Sequence, residues 1–348
     1  MKTGKMALLS LILLFFAVII KAQPTLTTPE LSQAATISQT IGLTKITVNY
    51  HRPLVKERKI WGGLVPYNQV WRAGANENTI IEFSDPVKIN GMEIPAGKYG
   101  FHAIPGENEW TLIFNKNSDA WGSFFYDNDL DALRINVKPQ TANFTEALTY
   151  SFDDPKPGSV VVSLTWEKLK IPFTVEVDVN KVVVDNMKKE LTGLAGFYSD
   201  DYLQAANYCL QNAYDIEQGL NWVDESIKRG KSFGNLYTKS EILMKMGKGD
   251  EAKKIKEEAM ELATENDLNK LGNQYNSSEN YEGAIKIFNM NLELHPNSLR
   301  AYLGLGNAYS ELSNYKLAIE NYEKAKEITP NQGLKERLQK AIDDLMKK

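Results

Sequence analysis

Residues 301–330 read AYLGLGNAYSELSNYKLAIENYEKAKEITP, and residues 267–296 read DLNKLGNQYNSSENYEGAIKIFNMNLELHP. Laid over one another, Tyr302 meets Leu268, Leu305 meets Leu271, Gly306 meets Gly272, Tyr309 meets Tyr275, Ala318 meets Ala284, Tyr322 meets Phe288 and Pro330 meets Pro296, each pair 34 residues apart. Within each copy the apolar positions recur at helical spacing in two blocks, so each copy is a helical hairpin. The small residues Gly306 and Ala318 let the two helices approach, while the rings of Tyr302, Tyr309 and Tyr322 fill the space between hairpins. A hairpin repeated at this period buries its apolar face only by stacking on its neighbours.

The pattern continues upstream less cleanly. One unit runs from Leu236 through Leu243 to Ala252 and Ala259. Another holds Ala205, Ala206 and Leu210, then Trp222, Val223 and Ile227. Degenerate end units are expected, because terminal repeats act as caps. The sequence predicts about four hairpins over residues 199–348, shielded at the end by a helix from Leu334 to Met346. Residues 181–198, with a helix over Val182–Leu194, read as a linker.

Before about Asn180 the grammar changes to strands. Thr44–Tyr50 alternates with period two, as a half-buried strand does. Val87–Ile89 and Met92–Ile94 flank Asn90-Gly91, a pair suited to a tight hairpin because both turn residues need positive φ. Lys98–Ile104 and Glu109–Asn115 predict a second hairpin. Leu133–Val137, Glu146–Phe152, Val160–Trp166 and, after a break at Pro172, Phe173–Val179 predict four more strands. Short strands with punctuating turns indicate an antiparallel β-sandwich, here over residues 23–180. The fold class expected is thus two-domain β plus α: a sandwich followed by a helical solenoid.

Lys2 and Lys5 precede an apolar run from Met6 to Ile20, then Ile20-Lys21-Ala22 and a polar stretch from Gln23. That order is the one found in secretory signal peptides, so residues 1–22 are expected to direct export to the periplasm or the medium. The run is shorter than the roughly 20 residues a membrane helix needs, and no membrane span is expected after cleavage. The net charge of −4 disfavours nucleic acid as a partner. The single cysteine, Cys209, excludes an internal disulfide framework. It reads as a buried thiol, with an intermolecular disulfide as the alternative.

The C-terminal pattern resembles the tetratricopeptide repeat, most closely from residue 265 onward. The resemblance implies a superhelix whose groove, lined by the first helix of each hairpin, takes a protein or peptide partner. Asn266, Asn269, Asn273 and Asn276 are spaced to share one helical stripe, and Asn307 stands one repeat beyond Asn273. These five amides are the candidate groove residues, since an amide both donates to and accepts from a peptide backbone.

Upstream, the series Asn49-Tyr50-His51-Arg52-Pro53, Ile60-Trp61-Gly62, Leu64-Val65-Pro66-Tyr67 and Val70-Trp71-Arg72-Ala73-Gly74-Ala75-Asn76-Glu77 is distinctive. With Pro95-Ala96-Gly97-Lys98-Tyr99 and Trp110–Asn115, it resembles the bacterial family called domain of unknown function 2911, over about residues 30–180. The resemblance implies an exported chain, often with helical repeats C-terminally. Its chemistry must be read from the residues. Arg52, Lys56, Arg58 and Arg72 cluster among Trp61, Tyr67 and Trp71. Guanidinium groups grip carboxylate or phosphate in a fork and stack on rings. Arg52, Lys56, Arg58, Trp71, Arg72, Asn76, Glu77 and His102 are therefore candidate ligand residues, for an anionic or carbohydrate ligand. The alternative is that they pack on one another in an ordered loop.

Catalytic signatures are weak. No His pair has helical zinc spacing among His51, His102 and His295, and no metal or cofactor is expected. Asp127, Asn128, Asp129 and Asp131 start like a calcium loop, but Ala132 stands at the obligatory glycine and Lys138 at the twelfth position, so a turn and cap is expected instead. The expected function is an exported, non-enzymatic binding or assembly protein. The alternative is a hydrolase or carbohydrate-active enzyme, using Glu77, Glu109 or His102 with Arg72.

Overall fold

The computed structural model describes residues 29–348. The expected signal segment lies outside these described residues. They fall into two compact units, one ending at Glu176 and the other beginning at Val177, with Ile41–Thr44 grouped with the second.

The first unit is made of ten strands: β1 Gln33–Ile41, β2 Thr44–Arg52, β3 Ile80–Phe83, β4 Val87–Ile89, β5 Met92–Ile94, β6 Gly97–Ile104, β7 Trp110–Asn115, β8 Asp131–Val137, β9 Gln140–Lys156 and β10 Ser159–Glu176. They form a six-stranded sheet, ordered β1-β2-β3-β6-β7-β8, and a four-stranded sheet, ordered β5-β4-β10-β9. The β4–β5 turn is the Asn90-Gly91 pair, at φ 48° and 82°. The β6–β7 hairpin also forms, with His102 opposite Ile113. Aromatic rings fill the space between the sheets. Phe173 of the smaller sheet lies 5.7 Å from both Phe101 and Phe114 of the larger, and Tyr150 meets Tyr50 edge-on at 4.7 Å. A second knot joins Trp61, Trp71, Trp110 and Trp166, with the Trp71 and Trp166 rings stacked at 6.0 Å.

Three strand expectations are corrected. Pro172 does not end a strand: β10 runs through it. β10 pairs with β9 as far as Lys170 and with β4 from Val175, so proline falls between the two ladders, where its missing N–H is not needed. β1 was not expected, because its inward face, Ala35, Ile37, Gln39 and Ile41, is diluted by Ala35 and Gln39 and its outward face is polar, so the apolar signal is weak. β3 was not expected either, being only four residues long.

The second unit contains α1 Val179–Glu190, α2 Ser199–Asn212, α3 Ile216–Arg229, α4 Phe233–Lys245, α5 Gly249–Glu261, α6 Glu265–Ser277, α7 Tyr281–Leu294, α8 Leu299–Glu311, α9 Tyr315–Ile328 and α10 Gln332–Leu345. α2 to α9 pair into four hairpins, and α10 closes the stack with Leu338, Ile342 and Leu345 packed on Ala318 and Tyr322. α1 is not a free linker. Its Val184 is buried with Ala205, Ala206, Cys209 and Trp222. Cys209 is fully enclosed, and burial pushes its thiol pKa up to about 11.

The register slips in the second hairpin for a local reason. Its capping residue Ser232 precedes the matching Thr264 by 32 residues, whereas Thr264 precedes Ser298 by 34. The shortening lies in a 13-residue α5, against 14 in α7, and in a connection shorter by one residue. The cleanest packing joint is Phe288, which is fully buried. A side chain at Gly272 would meet its ring at 2.6 Å, and one at Gly304 would overlap it too. The ring thus enters a hole made by glycines from α6 and from the following α8.

Candidate functional site

In the helical unit, α2, α4 and α6 line a groove of about 640 Å³. α2 contributes Leu203, Asn207, Leu210 and Gln211. α4 contributes Phe233, Tyr237, Thr238 and Glu241. α6 contributes Asp267, Lys270, Leu271, Gln274 and Tyr275. With Gly234 of α4 also in the lining, each set contains the i, i+4, i+7 spacing of one helical face. The groove is preorganised. The Tyr237 and Tyr275 hydroxyls are hydrogen-bonded at 2.9 Å, and Thr238 donates to Asn207 Oδ1 at 2.9 Å. Lys256 lies 4.8 Å from the Tyr237 ring centre and 3.3 Å from Glu241. Burial and the Tyr275 hydroxyl raise the Tyr237 pKa, so it remains a neutral phenol that can both donate and accept.

The asparagine stripe is not this face. Asp267, Lys270 and Gln274 each stand one residue beyond Asn266, Asn269 and Asn273, a rotation of about 100° around the helix. Asn269 is buried, accepting from Asn291 Nδ2 at 2.9 Å and donating to Ser298 at 3.4 Å. Asn276 donates to the Gly304 carbonyl at 3.1 Å, Asn266 accepts from Arg300 at 3.2 Å, and Asn307 accepts from the Tyr322 hydroxyl at 2.7 Å. Four of the five amides thus join helices to one another, and Asn273 is exposed.

In the β-unit, Arg58, Trp71, Arg72 and Asn76 share a cavity of about 330 Å³ with Ser32, Pro53, Leu64 and Trp166. Arg58 is held by the Val55 carbonyl at 3.0 Å and by that of Leu54. Arg72 donates to the Asn76 carbonyl, and its guanidinium lies 5.4 Å from the Phe124 ring centre. Burial lowers the Arg72 pKa from a value so high that the charge persists. Gly122 packs against this guanidinium at φ +60°, where any side chain would be strained and its Cβ would displace the guanidinium. Arg52 is not on the cavity: it donates to the Leu148 carbonyl at 3.1 Å and to Thr149 at 2.8 Å. Lys56 is an exposed turn residue at φ 47°, and also lies outside the lining.

Glu77 and His102 go to different partners. His102 Nδ1 is 2.9 Å from the Ser123 hydroxyl. Among the described residues, no hydrogen bond or ion pair links His102 to Glu77 or Glu109. Glu109 accepts from Asn136 at 3.2 Å. The fold thus leaves His102 apart from both glutamates. Glu77 Oε2 instead lies 3.2 Å from His51 Nε2, which is also 3.0 Å from Glu30 Oε2. Asn76 Nδ2 donates to that same Glu30 oxygen at 2.7 Å and to the Ser32 carbonyl at 3.2 Å. Glu30, Ser32 and Ser123 carried no motif or periodicity that sequence reasoning could have used. Asp127 caps a short 3₁₀ turn at Asn128–Leu130, as the failed calcium pattern implied.

His102 gives a prediction of its own. Burial pushes its pKa down to about 4; Asp131 opposes that shift and Arg72 adds to it. Between the ordinary value near 6.5 and about 4, the unfolded chain takes up a proton that the folded chain refuses. Stability tied to His102 is therefore complete above 6.5 and lost as pH falls toward 4. Urea midpoints of the wild type should drop across this window, and His102→Gln should flatten the drop. An imidazole that titrates near 6.5 by NMR would contradict this.

The fold defines a class: an antiparallel β-sandwich followed by a tetratricopeptide array, the helical part of which is a protein-interaction scaffold. Residues 32–175 match the family model described as "Protein of unknown function (DUF2911)", and residues 266–331 match the tetratricopeptide repeat. Solved structures similar to this chain include YrrB, described as a tetratricopeptide-repeat protein with an unusual peptide-binding site. It has 19% identity and a TM-score of 0.28, over 46% of this chain and 84% of that one. MamA from Desulfovibrio magneticus RS-1 has 18% identity and a TM-score of 0.26, over 44% and 93%. PilF of Pseudomonas aeruginosa has 19% identity and a TM-score of 0.28, over 42% and 67%. No curated protein matches the chain.

Proposed function

We propose that this is an exported, non-enzymatic binding and assembly protein whose helical groove seats an extended segment of a protein partner. The tetratricopeptide repeats make the helical unit a protein-interaction scaffold. The observation that carries the finer reading is the groove shared by three successive first helices, with Tyr237 and Tyr275 at its centre and the amides of Asn207, Gln211 and Gln274 around them. Aromatic rings supply contact area at small entropic cost, and amides match the donors and acceptors of a peptide backbone. Export rests on the Met6–Ile20 segment behind Lys2 and Lys5. No helix of the described residues is long and apolar enough to cross a membrane.

The test is retention of envelope proteins by the full chain. Tyr237→Ala should weaken capture of the partner by roughly thirtyfold, as loss of a central aromatic worth about 2 kcal/mol does. Asn273→Ala, on the same unit but outside the groove lining, should leave it intact. Equal capture by wild type and Tyr237→Ala would refute the groove as the binding surface.

A second element of the reading concerns the β-unit. Arg58 and Arg72 share a cavity with the stacked Trp71 and Trp166, which suits an anionic ligand with a flat face, such as an acidic sugar.

A further inference from the structure

We propose that Glu30, His51 and Glu77 hold a divalent transition-metal cation, zinc in class, on the outer side of the six-stranded sheet. This inference is independent of what the groove or the arginine cavity binds. Three ligand atoms, one from each residue, lie within 4.8 Å of one another. His51 Nε2 is 3.0 Å from Glu30 Oε2 and 3.2 Å from Glu77 Oε2. Ligands about 2.0–2.2 Å from one tetrahedral ion stand about 3.4 Å apart, so these separations need only small adjustments to close on a metal.

The electrostatics favour a cation. Two carboxylates converge on one imidazole nitrogen, which can give a proton to only one of them. The Glu77 Oε2 atom is buried and has no well-formed hydrogen bond. An anionic oxygen shielded from water without a donor is costly, and a metal at the point of convergence would satisfy both carboxylates and the ring lone pair together. His51 Nδ1 is buried without a partner whether its other nitrogen holds a proton or a metal, so it does not discriminate.

The scaffold around the cluster is directional. His51 belongs to β2, and Glu77 sits between Asn76 and the start of β3. Asn76, at φ 57°, uses its side chain to orient Glu30 and its carbonyl to accept from Arg72. A donor that fixes a ligating carboxylate is a usual second layer of a metal site. Imidazole and carboxylate without thiolate suit zinc, and also manganese or cobalt. The Glu30 and Glu77 side chains are nearly half exposed, so an ion enters from solvent and keeps at least one position for water. The spacing of the three residues, 21 and 26 apart, matches no linear motif, and only the sheet brings them together.

The full chain, stripped with chelator, should bind one equivalent of Zn²⁺ by calorimetry, and Co²⁺ should give visible d–d bands of low coordination number. Glu77→Gln, nearly isosteric, and His51→Ala should each weaken Zn²⁺ by about a hundredfold or more, since second-layer changes alone cost 10–100-fold. Zinc should raise the thermal midpoint of the wild type and leave that of Glu77→Gln unmoved. No binding at millimolar Zn²⁺, or affinity unchanged in both variants, would overturn the site.

Discussion

Replacing Phe288 by alanine should cost the helical unit about 3–5 kcal/mol, at the upper end for aromatic truncation. The ring is fully buried, and two of the positions it packs against are Gly272 and Gly304, which have no side chains to swing into the void. Such a cavity relaxes little, and the cost rises with the volume left empty. A compensating change follows from the same geometry. Gly304→Ala should destabilise the wild type, because its methyl overlaps the ring. In the Phe288→Ala background the same methyl enters free space and replaces glycine in a helix, so it should be neutral or stabilising. Urea melts followed by helical ellipticity close the double-mutant cycle. Additive single effects would show that the two residues do not share a joint.

Trp166→Ala should cost the β-unit a similar amount, about 3–5 kcal/mol, and should also open the arginine cavity. Trp166 is 1% exposed, stacks on Trp71 at 6.0 Å, meets Trp61 edge-on at 5.7 Å and donates Nε1–H to the Glu146 carbonyl at 3.3 Å. Its removal leaves Trp71 without the ring it stacks on, and Trp71 lines the cavity. The near-ultraviolet circular dichroism of the tryptophan knot should therefore collapse along with the denaturation midpoint. Trp166→Phe should keep part of both. Full retention of the near-ultraviolet signal in Trp166→Ala would mean the stacked pair is not the source of order there. Melting should be followed separately in the near and far ultraviolet, since two units need not unfold in one step.

Much of the fold was legible in the sequence because the burial pattern is strongly periodic. The 34-residue recurrence and the Asn90-Gly91 turn each specify a local geometry through sterics alone. The site was less legible. Asn266, Asn269, Asn273 and Asn276 and the stripe that lines the groove between helices, Asp267, Lys270 and Gln274, have nearly the same spacing. Polarity alone cannot say which faces a ligand and which a neighbouring helix. The structure uses the amides between helices, where buried hydrogen-bonding groups must be paired. In the β-unit Arg58 and Arg72 meet at a cavity, while Arg52 is tied to a backbone carbonyl and a hydroxyl oxygen of β9. Long-range pairs such as Glu30 with His51 leave no trace in local pattern, because a sheet joins residues without regard to their separation along the chain.

The enclosure of Cys209 has a practical corollary. A thiolate is the reactive form of the side chain, and one whose acidity is suppressed to about 11 behind packed helices is scarcely nucleophilic at neutral pH. The folded chain should keep its monomeric covalent state in air without added reductant. A cysteine placed on the groove rim would then be the sole addressable handle for a fluorophore or spin label.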